Sequence, residues 1–179
     1  MTQPESESAL LDGLPIGATG RSVGRTISEG EFTLLNTLSW SFSEPYTNYE
    51  LMSQTSFGER LLAGPMLTAL VAGMHSSGDH FDEIRRSFGL KFLAVLGIDA
   101  HYRAPVVPGD TIWVDTTLVS ARASASRPGV GVMVFRDLAR NQRDEVVLEM
   151  ERPMLFSRPA PAPEPEPQPE PQPDPRSHP

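Results

Sequence analysis

The spacing of apolar residues is helical in the first half of the chain and strand-like in the second. After a short predicted strand over residues 21–27, Ser28 and Glu31 have the spacing of a helix capping box. Apolar residues then recur at helical intervals, which predicts a helix over residues 31–40. Residues 40–48 contain a proline and show no period, so this aromatic segment is predicted to be a loop.

The most apolar segment of the chain lies near its middle. A short helix is predicted over residues 49–54, and a second helix, apolar on all sides, over residues 66–74. The second helix follows Gly64 and Pro65, and proline is favoured in the first turn of a helix. A helix without a polar face is normally buried, so the sequence predicts a central buried helix that starts at this proline.

Four consecutive strands are predicted in the second half of the chain. They cover residues 90–102, 111–122, 131–141 and 145–156, and glycine, proline, asparagine or aspartate marks the turns between them. Short helices around one apolar helix, followed by consecutive strands, predict the α+β class. We therefore expect a single domain in which one antiparallel sheet wraps a central apolar helix.

The two ends of the chain differ in composition from the part between them. Residues 1–14 are acidic and are expected to be flexible. Residues 159–179 hold ten of the 18 prolines, in repeats with alanine, glutamate and glutamine, which predicts a disordered tail. Residues 15–158 then form the domain. The ends carry most of the net charge of −8, so the domain itself is nearly neutral.

Charge and composition argue against several classes of partner. The predicted domain has no cluster of basic residues, so we expect no contact with nucleic acid. Without cysteine the chain can form no disulfide and no thiolate metal site. The sequence shows neither an apolar run long enough for a membrane span nor a signal-peptide pattern, so we expect a cytoplasmic protein without membrane contact.

Several short strings occur in an order that resembles one protein family. They are VGRT at residues 23–26, FG at 57–58, Gly64, PVVPGDT at 105–111, SRP at 126–128 and NQR at 141–143. In their order and spacing the chain resembles MaoC-like proteins, which include (R)-specific enoyl-CoA hydratases and mesaconyl-CoA hydratase-like dehydratases. The resemblance covers residues 23–156 and implies a single hotdog domain without metal or cofactor. It also implies a homodimer, or a heterodimer with another hotdog chain.

The catalytic motif of that family is not retained in this chain. In the family an aspartate and a histidine five residues apart activate a water, in the pattern Asp-x-Asn-Pro-apolar-His-x-Asp. Counting back from Phe57 places Ser41 at the aspartate, Tyr46 at the histidine and Asn48 at the second aspartate. Aligning the proline of the motif with Pro45 instead requires an insertion, and it places neither an aspartate nor a histidine at the catalytic positions. Tyrosine is a weak base at neutral pH, since its usual pKa is about 10.

The resemblance implies a set of candidate site residues. Gly64 matches the glycine that starts the family's central helix, whose N–H would polarise a thioester carbonyl. The candidate catalytic residues are Ser41, Tyr46 and Gly64, and the candidate substrate-binding residues are Glu44, Asn48, Phe57 and Met66.

One histidine-containing segment resembles a metal site more than the rest of the chain does. His75 and His80 flank Asp79, and Asp82 follows. Their spacing differs from that of a hydrolytic zinc helix. We therefore interpret residues 75–82 as a loop and predict no metal site.

Three functions stay open at this point, each with an acyl-CoA or a carrier-protein-linked acyl thioester as partner. The first is a lyase of the hydratase or dehydratase type with a remodelled site built on Ser41 and Tyr46. The second is a thioesterase, which would need Glu44 or Glu50 as a base for water. The third is a non-catalytic subunit that shapes a pocket for a partner hotdog chain with its own aspartate and histidine.

Overall fold

The computed structural model describes residues 11–158 of the chain. The predicted N-terminal segment and proline-rich tail therefore lie largely outside the described residues. Leu14 is buried, and Leu11 packs against the same apolar cluster, so these two residues belong to the packed domain. The domain boundaries at residues 15 and 158 stay predictions.

Residues 11–158 contain five helices: α1 Glu29–Leu38, α2 Glu44–Thr47, α3 Tyr49–Ser53, α4 Gly64–Ser76 and α5 Asp79–Ser87. The predicted capping box of α1 is confirmed, because the Glu31 N–H donates to Ser28 Oγ at 3.3 Å and the Ser28 N–H donates to the Glu31 carboxylate at 3.1 Å. α1 ends where Trp40 takes a left-handed backbone conformation and the Ser41 N–H donates to the Asn36 carbonyl.

The described residues contain seven strands: β1 Thr19–Arg21, β2 Arg25–Thr26, β3 Lys91–Val95, β4 Asp99–Tyr102, β5 Thr111–Ala123, β6 Val130–Arg140 and β7 Val146–Ser157. They form one antiparallel sheet in the order β1-β5-β6-β7-β3, with β2 also on β5 and β4 also on β7. α4 packs Leu67 and Val71 against β5 and β7 in the main core cluster. The predicted α+β domain with one sheet against a central helix is confirmed. Within residues 11–158 no helix is long and apolar enough to cross a membrane.

The structure divides two of the predicted strands. Residues 21–27 contribute to β1 and β2, which pair separately with β5. Between β3 and β4 the chain bulges, because Val95 lies opposite Met154 and Asp99 opposite Glu151, so that three residues face two. Pro153 of β7 lies at the bulge and has no N–H to donate to the neighbouring strand.

The interpretation of residues 75–82 as a loop is wrong. His75 belongs to α4, and α5 begins at Asp79. α5 buries Phe81 and Ile84, which lie one turn apart, and its acidic first turn and basic last turn suit the helix dipole. Phe81, Ile84 and the partly buried Phe88 are spaced as one apolar face of a helix, a pattern that the interpretation as a loop did not use.

A buried polar cluster joins α4 to the middle of the sheet; we call it the Asp137 cluster. The carboxylate of Asp137 on β6 lies 2.8 Å from His75 Nδ1, 2.6 Å from Thr116 Oγ1 on β5 and 2.7 Å from Arg152 Nη2 on β7. All four side chains are at least 96% buried. Each charge in the cluster therefore has its partner inside the protein, as buried charges require.

The two titratable partners respond to this burial in different ways. Burial disfavours the imidazolium and lowers the pKa of His75 below its usual 6.5, although the Asp137 carboxylate opposes the shift. Burial alone would raise the pKa of Asp137, but its hydrogen bonds and the charge of Arg152 outweigh burial and lower that pKa. His75 is therefore neutral at pH 7 and donates its Nδ1–H to the carboxylate. Its Nε2 has no hydrogen-bond partner among residues 11–158.

We expect the free energy of unfolding to fall as the pH is lowered from 7 towards 5. The unfolded chain protonates His75 near its usual pKa of 6.5, whereas the folded chain does so only at lower pH. The unfolded state then binds more protons, and stability is lost by at most about 1.4 kcal/mol per pH unit. Urea unfolding at several pH values measures this slope.

His75→Gln should reduce the slope, because it removes the titrating group from the Asp137 cluster. His101→Gln on exposed β4 serves as the control, since it leaves the cluster intact. An equal pH slope in wild type and His75→Gln would contradict the assignment.

Candidate functional site

The N-terminus of α4 faces a pocket with a free hydrogen-bond donor. The preceding residue, Ala63, has an extended backbone, and Pro65 occupies the first turn of the helix. Among residues 11–158 the N–H of Gly64 donates to no protein acceptor. The first turn of a helix also carries partial positive charge. This N–H is therefore available to an oxygen of a ligand.

Tyr102 of β4 lies directly over Gly64. A Cβ added at Gly64 would be 2.7 Å from Cζ of Tyr102, closer than Cβ atoms approach other atoms in proteins. The Tyr102 hydroxyl lies 2.9 Å from Oγ1 of Thr68, one turn further along α4. A side chain at position 64 would therefore have to displace the ring of Tyr102.

A pocket of about 490 Å³ opens in front of this helix end. Its lining is mainly apolar and comprises Tyr46, Phe57, Leu61, Leu62, Gly64, Pro65, Leu67, Tyr102, Arg103, Ala104, Pro105 and Val106. Arg103 is the one charged residue of that lining, and its Nη2 lies 2.8 Å from the carboxylate of Glu149. This volume and lining suit a small ligand with an apolar part.

Asn36 of α1 connects two sides of the pocket from within the protein. Its Nδ2 donates to the carbonyl of Leu61 at 3.1 Å and to that of Tyr46 at 3.4 Å. Its Oδ1 accepts the N–H of Ala63 at 2.9 Å. One buried side chain thus fixes the segment that carries Tyr46 relative to the residue just before Gly64.

Three of the predicted site residues meet at this pocket. Tyr46, on α2, is partly buried, and Phe57 is half-exposed at the pocket. Gly64 contributes the helix end opposite them. The structure therefore brings together one residue from the expected motif segment, the aromatic residue before the central helix and the first residue of that helix.

The other four predicted site residues do not line the pocket. The Ser41 hydroxyl hydrogen-bonds a neighbouring serine at 2.7 Å in the turn after α1. Asn48 caps α3 by accepting the N–H three residues ahead at 3.0 Å. Met66 packs against the main core cluster, and Glu44 is exposed in the first turn of α2. Ser41, Asn48 and Met66 therefore have local structural contacts, and Glu44 faces solvent.

The pocket contains hydrogen-bond donors but no evident base. No carboxylate or imidazole belongs to its lining in the described part of the chain, and Glu50 is exposed elsewhere. A backbone N–H and a phenol hydroxyl donate hydrogen bonds, and a phenol is a poor base at neutral pH. No three His, Cys, Asp or Glu side chains within residues 11–158 are placed to hold a metal. The pocket can therefore bind and polarise a carbonyl group, whereas proton transfer needs a further group.

Sequence reasoning missed two residues that shape the pocket. Asn36 lies one turn after buried Phe32 on the inner face of α1, and a polar side chain on an apolar face is a signal that could have found it. Tyr102 gives no local signal, because its contacts with Gly64 and Thr68 join elements far apart in the chain.

No family model matches this chain, and no curated protein is significantly similar to it. Solved structures are similar to it. The MaoC-like dehydratase from Rhodospirillum rubrum matches with a TM-score of 0.67 and 20% identity, over 84% of this chain and 97% of that one. The (R)-hydratase from A. caviae involved in PHA biosynthesis matches with a TM-score of 0.58 and 16% identity, over 83% of this chain and 99% of that one.

A third similar structure contains the same fold twice. It is a conserved hypothetical protein from Mycobacterium tuberculosis described as having a double hotdog fold, with a TM-score of 0.68 and 18% identity. The match covers 87% of this chain and 45% of that protein. Together these similarities show that the chain has the hotdog fold, as the sequence resemblance implied.

We expect Asn36→Leu to lower the free energy of unfolding by about 2 kcal/mol, because it leaves the buried N–H of Ala63 and the carbonyl of Leu61 without partners. Thr37→Ala is the control, since it changes the neighbouring, exposed residue of α1 and leaves these hydrogen bonds intact. Its stability should stay within about 0.5 kcal/mol of wild type. Chemical denaturation followed by circular dichroism measures the stability of all three proteins. A denaturation midpoint of Asn36→Leu equal to that of wild type would show that the hydrogen bonds of Asn36 do not stabilise the fold.

Proposed function

We propose that the chain binds an acyl thioester, as an acyl-CoA or on a carrier protein, in the pocket at the N-terminus of α4. The observation that carries this proposal is the unpaired N–H of Gly64, the first residue of α4, at a mainly apolar pocket that Gly64 lines. The shared fold with a MaoC-like dehydratase and an (R)-hydratase supports it.

Each part of the ligand has a matching part of the pocket. The thioester carbonyl accepts a hydrogen bond from the N–H of Gly64, where the helix dipole favours negative charge on the oxygen. Apolar side chains such as Leu61 and Leu67 contact the acyl chain. The exposed guanidinium of Arg103 lies at the same pocket and suits the phosphates of the thioester carrier.

We infer that the reaction supported by this pocket is of the hydratase or dehydratase type. Polarising the carbonyl of an enoyl thioester makes its β-carbon electrophilic, so that water can add its oxygen there and a proton at the α-carbon. Tyr46 can hydrogen-bond the water or the product hydroxyl from the pocket wall. No base belongs to the pocket lining within residues 11–158, so activation of the water needs a group beyond this lining.

A second candidate function, that of a subunit paired with another hotdog chain, is favoured by the exposed edge of the sheet. β3 is exposed at all five positions. Its apolar residues and those of the following bulge are large and accessible: Phe92, Leu93, Val95, Leu96 and Ile98. An apolar edge strand of this kind favours pairing with another chain. The partner is a second copy or a different hotdog chain that supplies aspartate and histidine, and the double hotdog relative supports such pairing.

We expect Tyr46→His to hydrate trans-2-enoyl-CoAs at least tenfold faster than the purified wild-type chain, because Tyr46 lines the pocket and a positioned base typically contributes 10²–10⁴-fold. The loss of enoyl-thioester absorbance on short and medium substrates measures the rate. Tyr46→Phe is the control without a new base. A Tyr46→His variant no faster than wild type would contradict the hydratase proposal, and a fast wild type that Tyr46→Phe inactivates would assign catalysis to this chain alone.

We expect Gly64→Pro to weaken the binding of octanoyl-CoA by about tenfold more than Gly64→Ala does. The difference corresponds to the loss of one hydrogen bond from the N–H at position 64 to the thioester carbonyl. Both variants place a Cβ against Tyr102, but only proline removes the N–H. The extended backbone of Ala63 is compatible with a proline after it. Isothermal titration calorimetry gives both dissociation constants, and equal losses would show that this N–H does not contact the ligand.

A further inference from the structure

The ring of Tyr102 forms a wall across one face of α4. Its outer end contacts the Cα side of Gly64, and its hydroxyl reaches Thr68, so the ring spans the first and second turns of the helix. Gly64 and Thr68 are four residues apart and therefore lie on the same helix face. The pocket in front of α4 includes Gly64 and Tyr102 but not Thr68, so it ends at this ring.

Beyond the ring, the same face of α4 and the neighbouring strand carry small side chains. Ala72 follows Thr68 by one turn, and Ala100 precedes Tyr102 on the same face of β4. Both alanines are partly buried against the main core cluster. Small apolar residues therefore continue past Tyr102, and the bulky ring separates them from the pocket.

We propose that Tyr102 sets the length of acyl chain that the pocket accepts, by closing the pocket along α4. This inference rests on the proposed function, because it assigns a selectivity to the acyl thioester site. The bulk of the ring closes the pocket, and the ring makes two contacts with α4. The absence of a side chain at Gly64 leaves space for the ring, and the Tyr102 hydroxyl hydrogen-bonds that of Thr68.

The test compares dissociation constants for butyryl-, octanoyl- and dodecanoyl-CoA by isothermal titration calorimetry. We expect wild type to prefer the shorter chains. Tyr102→Ala should strengthen the binding of dodecanoyl-CoA relative to that of butyryl-CoA by about tenfold, because about two further methylene groups become buried. Gly64→Ala should change the preference in the same direction, because its Cβ displaces the ring.

Two matched variants separate the ring from its hydrogen bond. Tyr102→Phe keeps the ring, and Thr68→Val keeps the shape of the threonine side chain. Each variant removes the hydrogen bond between the two hydroxyls. We expect both to keep the chain-length order of wild type. Circular dichroism of every variant checks that it is folded.

The possible failures are distinguishable. If wild type binds none of the three acyl-CoAs, the proposed function fails. If wild type binds and Tyr102→Ala keeps the wild-type chain-length ratio, the role of Tyr102 is refuted while thioester binding stands. If Tyr102→Phe shifts the ratio as much as Tyr102→Ala does, the hydroxyl and not the ring sets the accepted chain length. The proposed role of the ring is then refuted.

Discussion

The arrangement of helix and sheet depends on the buried carboxylate of Asp137. A charge in the middle of a sheet is costly unless it is paired, and here strands on both sides and α4 above each supply a partner. Because His75 is the penultimate residue of α4, its bond to Asp137 holds the far end of that helix on the sheet. Together with the packing of Leu67 and Val71, this contact fixes the orientation of the helix on the sheet.

The opposite end of α4 is held by neutral contacts. Asn36 bonds the residue before the helix, and Tyr102 packs on its first turn while bonding Thr68. None of these contacts uses the N–H of Gly64. The protein thus fixes the helix firmly at both ends and still leaves one donor unpaired at the pocket, which is the arrangement that a carbonyl-binding site needs.

Features encoded by neighbouring residues could be predicted from the sequence. The capping box at Ser28, the central helix behind Gly64 and the three long strands β5, β6 and β7 all follow from local patterns, and Tyr46 and Phe57 were placed near the site by resemblance. Features that depend on distant partners could not. The bulge between β3 and β4 lies opposite Pro153, and the position of Tyr102 is defined by residues on another element. The short helix α5 is also a local feature, since Phe81, Ile84 and Phe88 have helical spacing, but the interpretation of residues 75–82 as a loop did not use that spacing.

The contact between Gly64 and Tyr102 also constrains how this sequence can diverge. Neither position can change freely, because any side chain at 64 must occupy the volume that the ring of Tyr102 fills. A lineage that gains a side chain at position 64 has either to shift the half-exposed ring or to exchange the tyrosine for a smaller residue. The residues at positions 64 and 102 are therefore expected to covary, although they lie on different elements of the fold.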